Sequence, residues 1–344
     1  MTKILLDTLG LDKGYKEVVK AGVNALKQNE NIEICFLGDY GNIKKELEIY
    51  EKKFLKETGK DLFDFVTIIN APTEISCNDI PTKAIKEKQD SSLVVGFEEL
   101  KNGYDALISG GSTGAVLAGG FLKIGRIKGI SRPALCPMLP TKTGGKVMLI
   151  DCGATVDAKP NNLCDYALMA DIYFKSVMGI ESPKIALLNN GIEENKGNEL
   201  AKTTYQSLKQ MPINFVGNLE AREFLSGNAD VVISDGFSGN VLLKGTEGAV
   251  MMVLSMLKTE IKKSFACKMG AIFMKKAFKK LKSTLKTDNH GGSIMLGLKR
   301  TLIKVHGSST HTAIEVAVKQ AIEIKENKVL EKFEEEFNKR LENN

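Results

Sequence analysis

Five short aliphatic runs, each ending in a turn rich in glycine, aspartate, asparagine or serine, limit what this chain can fold into. Residues 231–233 (VVI) run into 234–240 (SDGFSGN), and 104–109 (YDALIS) run into Gly110-Gly111-Ser112-Thr113-Gly114. Residues 147–150 lead to the turn 151–155, 185–188 to Asn189-Asn190-Gly191, and 4–6 to the turn 7–10. Runs this short and this apolar suit strands covered on both faces, as in parallel sheets. One is ordinary in α/β proteins. Five predict a sheet whose carboxyl edge forms a single polar crevice, where helix N-termini turn unpaired N–H groups toward anions. Asp235 is expected on the floor of that crevice.

Strand-like and helix-like segments alternate steadily to about residue 245, which argues for parallel βαβ units. The proline-dense stretch Pro133-Ala-Leu-Cys-Pro137-Met-Leu-Pro140 cannot be helix interior and reads as a rigid extended connection. A second boundary is expected near residues 245–248. The N-terminal MTKILLDTLG lacks a basic segment followed by a long apolar one, so a cytoplasmic location is expected. The six cysteines show no C-x-x-C pair, which favours free thiols. Cys152, although in a crevice turn, reads as a small buried residue.

Residues 258–286 carry ten lysines against Glu260, a local charge of +9 in a chain whose formal net charge is +6. The rest of the chain is therefore slightly acidic, and no nucleic-acid partner is expected. Met274, Ala277, Phe278, Leu281 and Leu285 recur at helical spacing between these lysines, after an apolar run over 249–257 and an expected chain reversal around 268–270. Such a helix suits packing within a dimer, an anionic membrane surface, or an acidic partner. Lys275, Lys276, Phe278, Lys279, Lys280 and Leu281 are the candidate contact residues. The run 315–341, with Val318, Ile322, Val329, Phe333, Phe337 and Leu341 on one face, reads as a structural helix.

There is no G-x-G-x-x-G turn, Walker lysine motif, G-x-S-x-G elbow or H-E-x-x-H helix, so the usual dinucleotide, nucleotide, serine-hydrolase and zinc-protease signatures are missing. The three histidines, His290, His306 and His311, make no convincing metal site. Lys196 and Asn198, just before a helix starting near Glu199, suit either an anion contact or a solvated lysine and a helix cap. The turn His306-Gly307-Ser308-Ser309 also precedes a helix. Its N–H groups and hydroxyls suit phosphate oxygens or plain capping.

These turns stand within longer blocks: ISGGSTGA (108–115), GRIKGISRPALCPMLPT (125–141), LIDCGATVDAKP (149–160), LLNNGIEENKGNEL (187–200), FVGNLEAREFL (215–225), VISDGFSGNVLLK (232–244), GGSIMLGLK (291–299) and KVHGSS (304–309). In order and across the whole chain, they resemble the bacterial phosphate acyltransferase family of the PlsX type. The family's D-A-M-G-G-D appears here as residues 7–12, DTLGLD, which keeps both carboxylates and one glycine. Ser112 replaces the asparagine of its G-N-T-G turn, and Cys152 and Thr155 alter its D-V-G-A-N turn.

The resemblance implies transfer of a fatty acyl group from acyl carrier protein to inorganic phosphate, with no nucleotide, metal or prosthetic group. The acyl-phosphate product is implied to feed a membrane-bound acyltransferase in phospholipid synthesis. The implied fold is a large, mostly parallel α/β sheet flanked by helices, like that of isocitrate and isopropylmalate dehydrogenases and phosphotransacetylase, built as a homodimer. We expect one two-lobed domain over 1–344, including a basic helical arm at about 245–287. The chemistry of the turns leads us to expect phosphate among Gly111, Ser112, Thr113, Gly114, Lys196 and the turn His306, Gly307, Ser308, Ser309. Asn198 and Asn240 would donate to the oxyanion, and Asp235 would orient phosphate or accept its proton. Two other readings share these features: a phosphotransacetylase-like enzyme using acyl-CoA, and a non-catalytic membrane or carrier-protein scaffold. An oxidoreductase of the isopropylmalate dehydrogenase kind would follow from the fold alone, and fold does not fix function.

Overall fold

In the computed structural model, which describes residues 1–285 and 291–342, the aliphatic runs form strands of two sheets. In chain order these are β1 (Thr2–Asp7), β2 (Ile32–Gly38), β3 (Val66–Asn70), β4 (Ala106–Ser109), β5 (Ala134–Cys136), β6 (Met138–Pro140), β7 (Lys146–Ile150), β8 (Ile185–Asn189), β9 (Phe215–Glu220), β10 (Val231–Ile233), β11 (Ser293–Leu296) and β12 (Thr301–Lys304). The first sheet runs β3-β2-β1-β4-β12-β11-β5, the second β6-β7-β10-β8-β9. β3, β2, β1, β4 and β12 are mutually parallel, as are β7, β10, β8 and β9. The expected mostly parallel α/β fold is therefore what the chain adopts.

Side chains of a strand alternate between faces, and both faces here are covered. Ile4, Leu6, Phe36 and Ile108 join one core cluster, while Leu5, Leu37, Leu107 and Leu302 join another with Phe97 and Val94. The second sheet divides likewise, with Met148, Ile150, Leu187 and Ile233 on one side and Val147, Leu149, Ala186 and Val232 on the other. The helix Pro160–Tyr173 is nearly all buried, and its Tyr166 and Tyr173 sit in the core cluster that both sheets share.

The proline-dense stretch connects the sheets. β5 pairs antiparallel with β11, and after Pro137 the same extended strand continues as β6, antiparallel to β7. The Leu149 N–H donates to the Pro137 carbonyl, and that of Cys152 to Leu135. Ser293 lies opposite Lys304, and Ile294 opposite Cys136, so the carboxyl ends of β12 and β7 come level at this crossover. The turns after both sets of parallel strands open on either side of it.

The basic region differs from expectation in its breaks. A single helix, Gly236–Lys263, passes through Gly245 and Gly248 without interruption, since an isolated glycine costs a helix only about 1 kcal/mol relative to alanine. It is long and apolar enough to cross a bilayer by length and composition alone, yet Leu242 and Leu243 near its start pack on the second sheet's core. The chain turns at Ser264, whose hydroxyl caps the next helix, Phe265–Phe273, by accepting from the Cys267 N–H, and again before the helix Lys275–Leu285. Gly270 is inside a helix. Phe265 and Phe273 are 79% and 84% exposed, whereas Phe278 is half-buried and Leu281 exposed. Lys286, His290 and the last residues assigned to the arm lie outside the described residues, as do the side chains of Lys282 and Leu285.

The C-terminal pattern is two helices, His311–Glu326 and Val329–Glu342, parted at Lys328, whose φ is 52°. Val318, Val329, Phe333 and Phe337 are buried as read, and Leu341 is exposed. The Arg340 guanidinium donates to Asp165 at 2.8 Å and anchors the last helix.

Candidate active site

Three turns meet where β1, β4 and β12 end. Lys304 lies opposite Ser109, and the Ser109 hydroxyl donates to Asp7 Oδ2 at 2.6 Å. Asp7 also accepts from the Leu9 N–H at 3.0 Å, and the Gly111 N–H donates to Ser109 Oγ at 3.0 Å. Burial pushes the Asp7 carboxyl up, against the hydrogen bonds that favour its charge. The Lys304 ammonium donates to the carbonyl of Gly110 at 3.2 Å and to that of Val305. It is buried, which pulls its pKa down to about 8 against the fields of Cys77, Asp7 and Asp12. The Asp12 N–H donates to Gly307, which ties the first turn to the third.

The residues at 10 and 11 explain how DTLGLD tolerates a single glycine. A Cβ on Gly10, whose φ is 78°, would stand 2.4 Å from Gly111 Cα, so this glycine holds the close approach. Leu11 is buried and covers Gly110, where a Cβ would meet its side chain at 2.4 Å.

The turns that carry Gly111, Ser112, Thr113 and Gly114 and His306, Gly307, Ser308 and Ser309 are thus tied together at their starts, where Lys304 bonds Gly110 and the Val305 N–H donates to the Ser109 carbonyl. Ser112 precedes the helix Thr113–Gly119 without capping it through its side chain, which leaves that hydroxyl available. The third turn is closed more tightly than its sequence suggests. The Ser308 N–H donates to His306 Nδ1, and the Ser309 N–H to the His306 carbonyl. The Ser308 hydroxyl also pairs with His306 Nδ1, at 2.8 Å, so what this turn can offer an anion is chiefly the Gly307 amide.

Across the crossover, Asp151 follows β7 fully buried. Its Oδ1 accepts from the N–H groups of Leu135, Cys152 and Ala154 and its Oδ2 from Thr155, over 2.6–3.1 Å. This carboxylate organises the turn that meets β10, where the Gly236 N–H donates to the Thr155 carbonyl at 2.9 Å. A Cβ on Gly239 would lie 2.0 Å from the Asp151 carbonyl oxygen, so the helix starts hard against this turn. Cys152 is buried, and burial, then Asp151, push its thiol up to about 12; it is a core thiol, as read.

Asp235 and Asn198 are both helix N-caps. Asp235 Oδ1 accepts from Ser238 N–H at 2.8 Å and Asn198 Oδ1 from Ala201 N–H at 2.9 Å. Among the described residues, the second polar atom of each has no partner. Asn240 is half-buried one turn into the helix Gly236–Lys263, and Lys196 is exposed on the loop after β8. Among the described residues, no hydrogen bond or ion pair joins these four side chains to the first cluster. The cation within that cluster is Lys304, which the pattern TLIK hides: a lysine ending a four-residue strand looks like a solvated strand end.

Comparison with known proteins places these observations. The family described as fatty acid synthesis protein matches residues 2–332. The phosphate acyltransferase of Clostridioides difficile (strain 630) is 41% identical over 346 residues, covering 99% of each chain. That of Alkaliphilus oremlandii is 44% identical over 334 residues, covering 97% of this chain and 96% of the relative. Among solved structures, the EutD phosphotransacetylase from Staphylococcus aureus superposes with a TM-score of 0.55 at 14% identity, over 93% of both chains, and shows a shared fold.

Proposed function

Because this chain belongs to the phosphate acyltransferase family, we propose that it transfers a long-chain fatty acyl group from acyl carrier protein to inorganic phosphate, yielding acyl-phosphate for phospholipid synthesis. The observation that carries this reading is the cradle where the turns 109–114 and 305–309 are held together by a buried ammonium, a setting for a small polyanion. A phosphate oxygen forms a bond to the thioester carbonyl carbon, the tetrahedral oxyanion collapses, and the C–S bond breaks to release the pantetheine thiolate. A thiol with pKa near roughly 8.5 leaves with little protonation, so positioning and oxyanion stabilisation carry the step.

In this proposal the spare amide N–H groups of Asn198 and Asn240 donate to the oxyanion. The free oxygen of Asp235 orients phosphate or takes its proton, and Lys196 closes over phosphate from the loop. Phosphate-dependent thiol release from palmitoyl-acyl carrier protein, without nucleotide or metal and with acyl-CoA run in parallel, tests the reading. Release from acyl-CoA alone would favour the phosphotransacetylase-like alternative, and release from neither the scaffold. Lys196→Ala is expected to raise the phosphate KM or lower kcat about tenfold or more. Unchanged kinetics would remove Lys196 from the site.

We further propose that the chain acts as one two-lobed domain, as a cytoplasmic homodimer whose basic arm meets acidic carrier protein or the inner membrane surface. Exposed Phe265 and Phe273 beside Lys275, Lys276, Lys279 and Lys280 support an apolar tip with a basic flank. Making Phe278 and Leu281 polar is expected to abolish binding to anionic vesicles in a sedimentation assay. Binding that survives would exclude insertion of that helix face.

A further inference from the structure

An ammonium group carries three N–H donors, and Lys304 commits two of them to the carbonyls of Gly110 and Val305. Asp7 and Asp12 reach it through their fields, but among the described residues no carboxylate closes a salt bridge onto it. Asp7 is itself occupied by Ser109 and Leu9. A buried charge satisfied by neutral partners, with a donor to spare, is costly unless an anion completes it. Lys196 carries no such cost, being exposed.

We propose that Lys304 supplies the positive charge that receives an oxygen of inorganic phosphate, while its bonds to Gly110 and Val305 set the spacing of the two turns around that oxygen. This rests on the phosphate acyltransferase reading, although it does not depend on which acyl donor is used. Lys304 belongs to β12 and not to a loop, so the charge is delivered by the sheet itself and needs no closure.

The test separates binding from turnover. Thermal stabilisation by inorganic phosphate, with no acyl donor present, reports binding, and the phosphate KM against kcat reports its use. Lys304→Met removes charge and donors, Lys304→Gln keeps a donor for the carbonyls without the charge, and Lys304→Arg keeps both. In the Met and Gln variants the phosphate KM is expected to rise about tenfold or more, with kcat changed less, and stabilisation by phosphate to vanish. The Arg variant should recover part of both. A folded Lys304→Gln protein with wild-type phosphate KM would overturn the proposal. Should Lys304→Met fail to fold, equal phosphate affinity in the Gln and Arg variants overturns it, because the charge is what distinguishes them. Phosphate stabilisation lost in Lys304→Gln, from a wild-type protein that releases no thiol from any acyl donor, sinks the acyl-transfer reading and leaves the phosphate site standing.

Discussion

Asp151→Ala is expected to lower the melting temperature by roughly 5 °C, because the backbone N–H groups of Leu135, Ala154 and Thr155 lose this acceptor together, while that of Cys152 keeps the Leu135 carbonyl. Orphaning a buried donor costs on the order of 1–3 kcal/mol, and partial rehydration of the turn brings the sum to about 4 kcal/mol. The damage should spread further, since this turn seats the start of the helix Gly236–Lys263 through Gly236 and Gly239. Asp151→Asn keeps an oxygen for Leu135, Cys152 and Ala154 but turns an amino group toward the Thr155 N–H. Its melting temperature should lie between the two. A differential scanning measurement in which Asp151→Ala melts with the wild type would show that the turn holds itself together without the carboxylate.

The second large effect is on catalysis. Gly10→Ala places a methyl group 2.4 Å from Gly111 Cα and 2.8 Å from its nitrogen, and backbone atoms cannot swing aside as a flexible side chain does. The first and second turns must separate, so kcat/KM for phosphate is expected to fall about a hundredfold, as displacements near 1 Å do in positioned sites. Gly14 supplies the control. Its φ of 75° matches the 78° of Gly10, yet a Cβ there meets nothing within 4 Å. Gly14→Ala therefore carries the backbone strain without the collision, and its activity should stay close to wild type. Equal losses in the two variants would mean that strain, and not the approach of the turns, is responsible.

Much of the fold was legible because it depends on local rules. β-Branched and aliphatic runs mark parallel strands, and the turns after them follow from the polar, glycine-rich segments at 110–114 and 234–240. The proline-dense stretch also read correctly as extended, since proline excludes helix. Breaks that rest on capping were not legible. Ser264 ends one helix and begins another, while the more conspicuous Gly245, Gly248 and Gly270 lie inside helices. The apolar spacing across Ile322 and Val329 hides the left-handed Lys328, which carries no glycine or proline signal. The candidate site divides in the same way. Its turns were visible as local pattern, whereas Lys304, Asp7 and Ser109 become one cluster only through strand order. Nothing in the chain's linear spacing sets β12 beside β4, and that pairing is what moves a lysine from a strand end into the core of the site.

The strand that serves both sheets also bears on how relatives could exchange parts. Residues 134–140 form backbone pairs with β11 on one side and β7 on the other, so neither sheet has a complete edge without them. A chimera joined within this ribbon would inherit one partner's register from each parent and would have to satisfy both at once. Joins placed before Arg132 or after the turn at Gly144 would carry the ribbon intact from one parent. Crossing points that survive recombination in this family should therefore avoid these seven residues, even where the parental sequences there differ by single conservative changes.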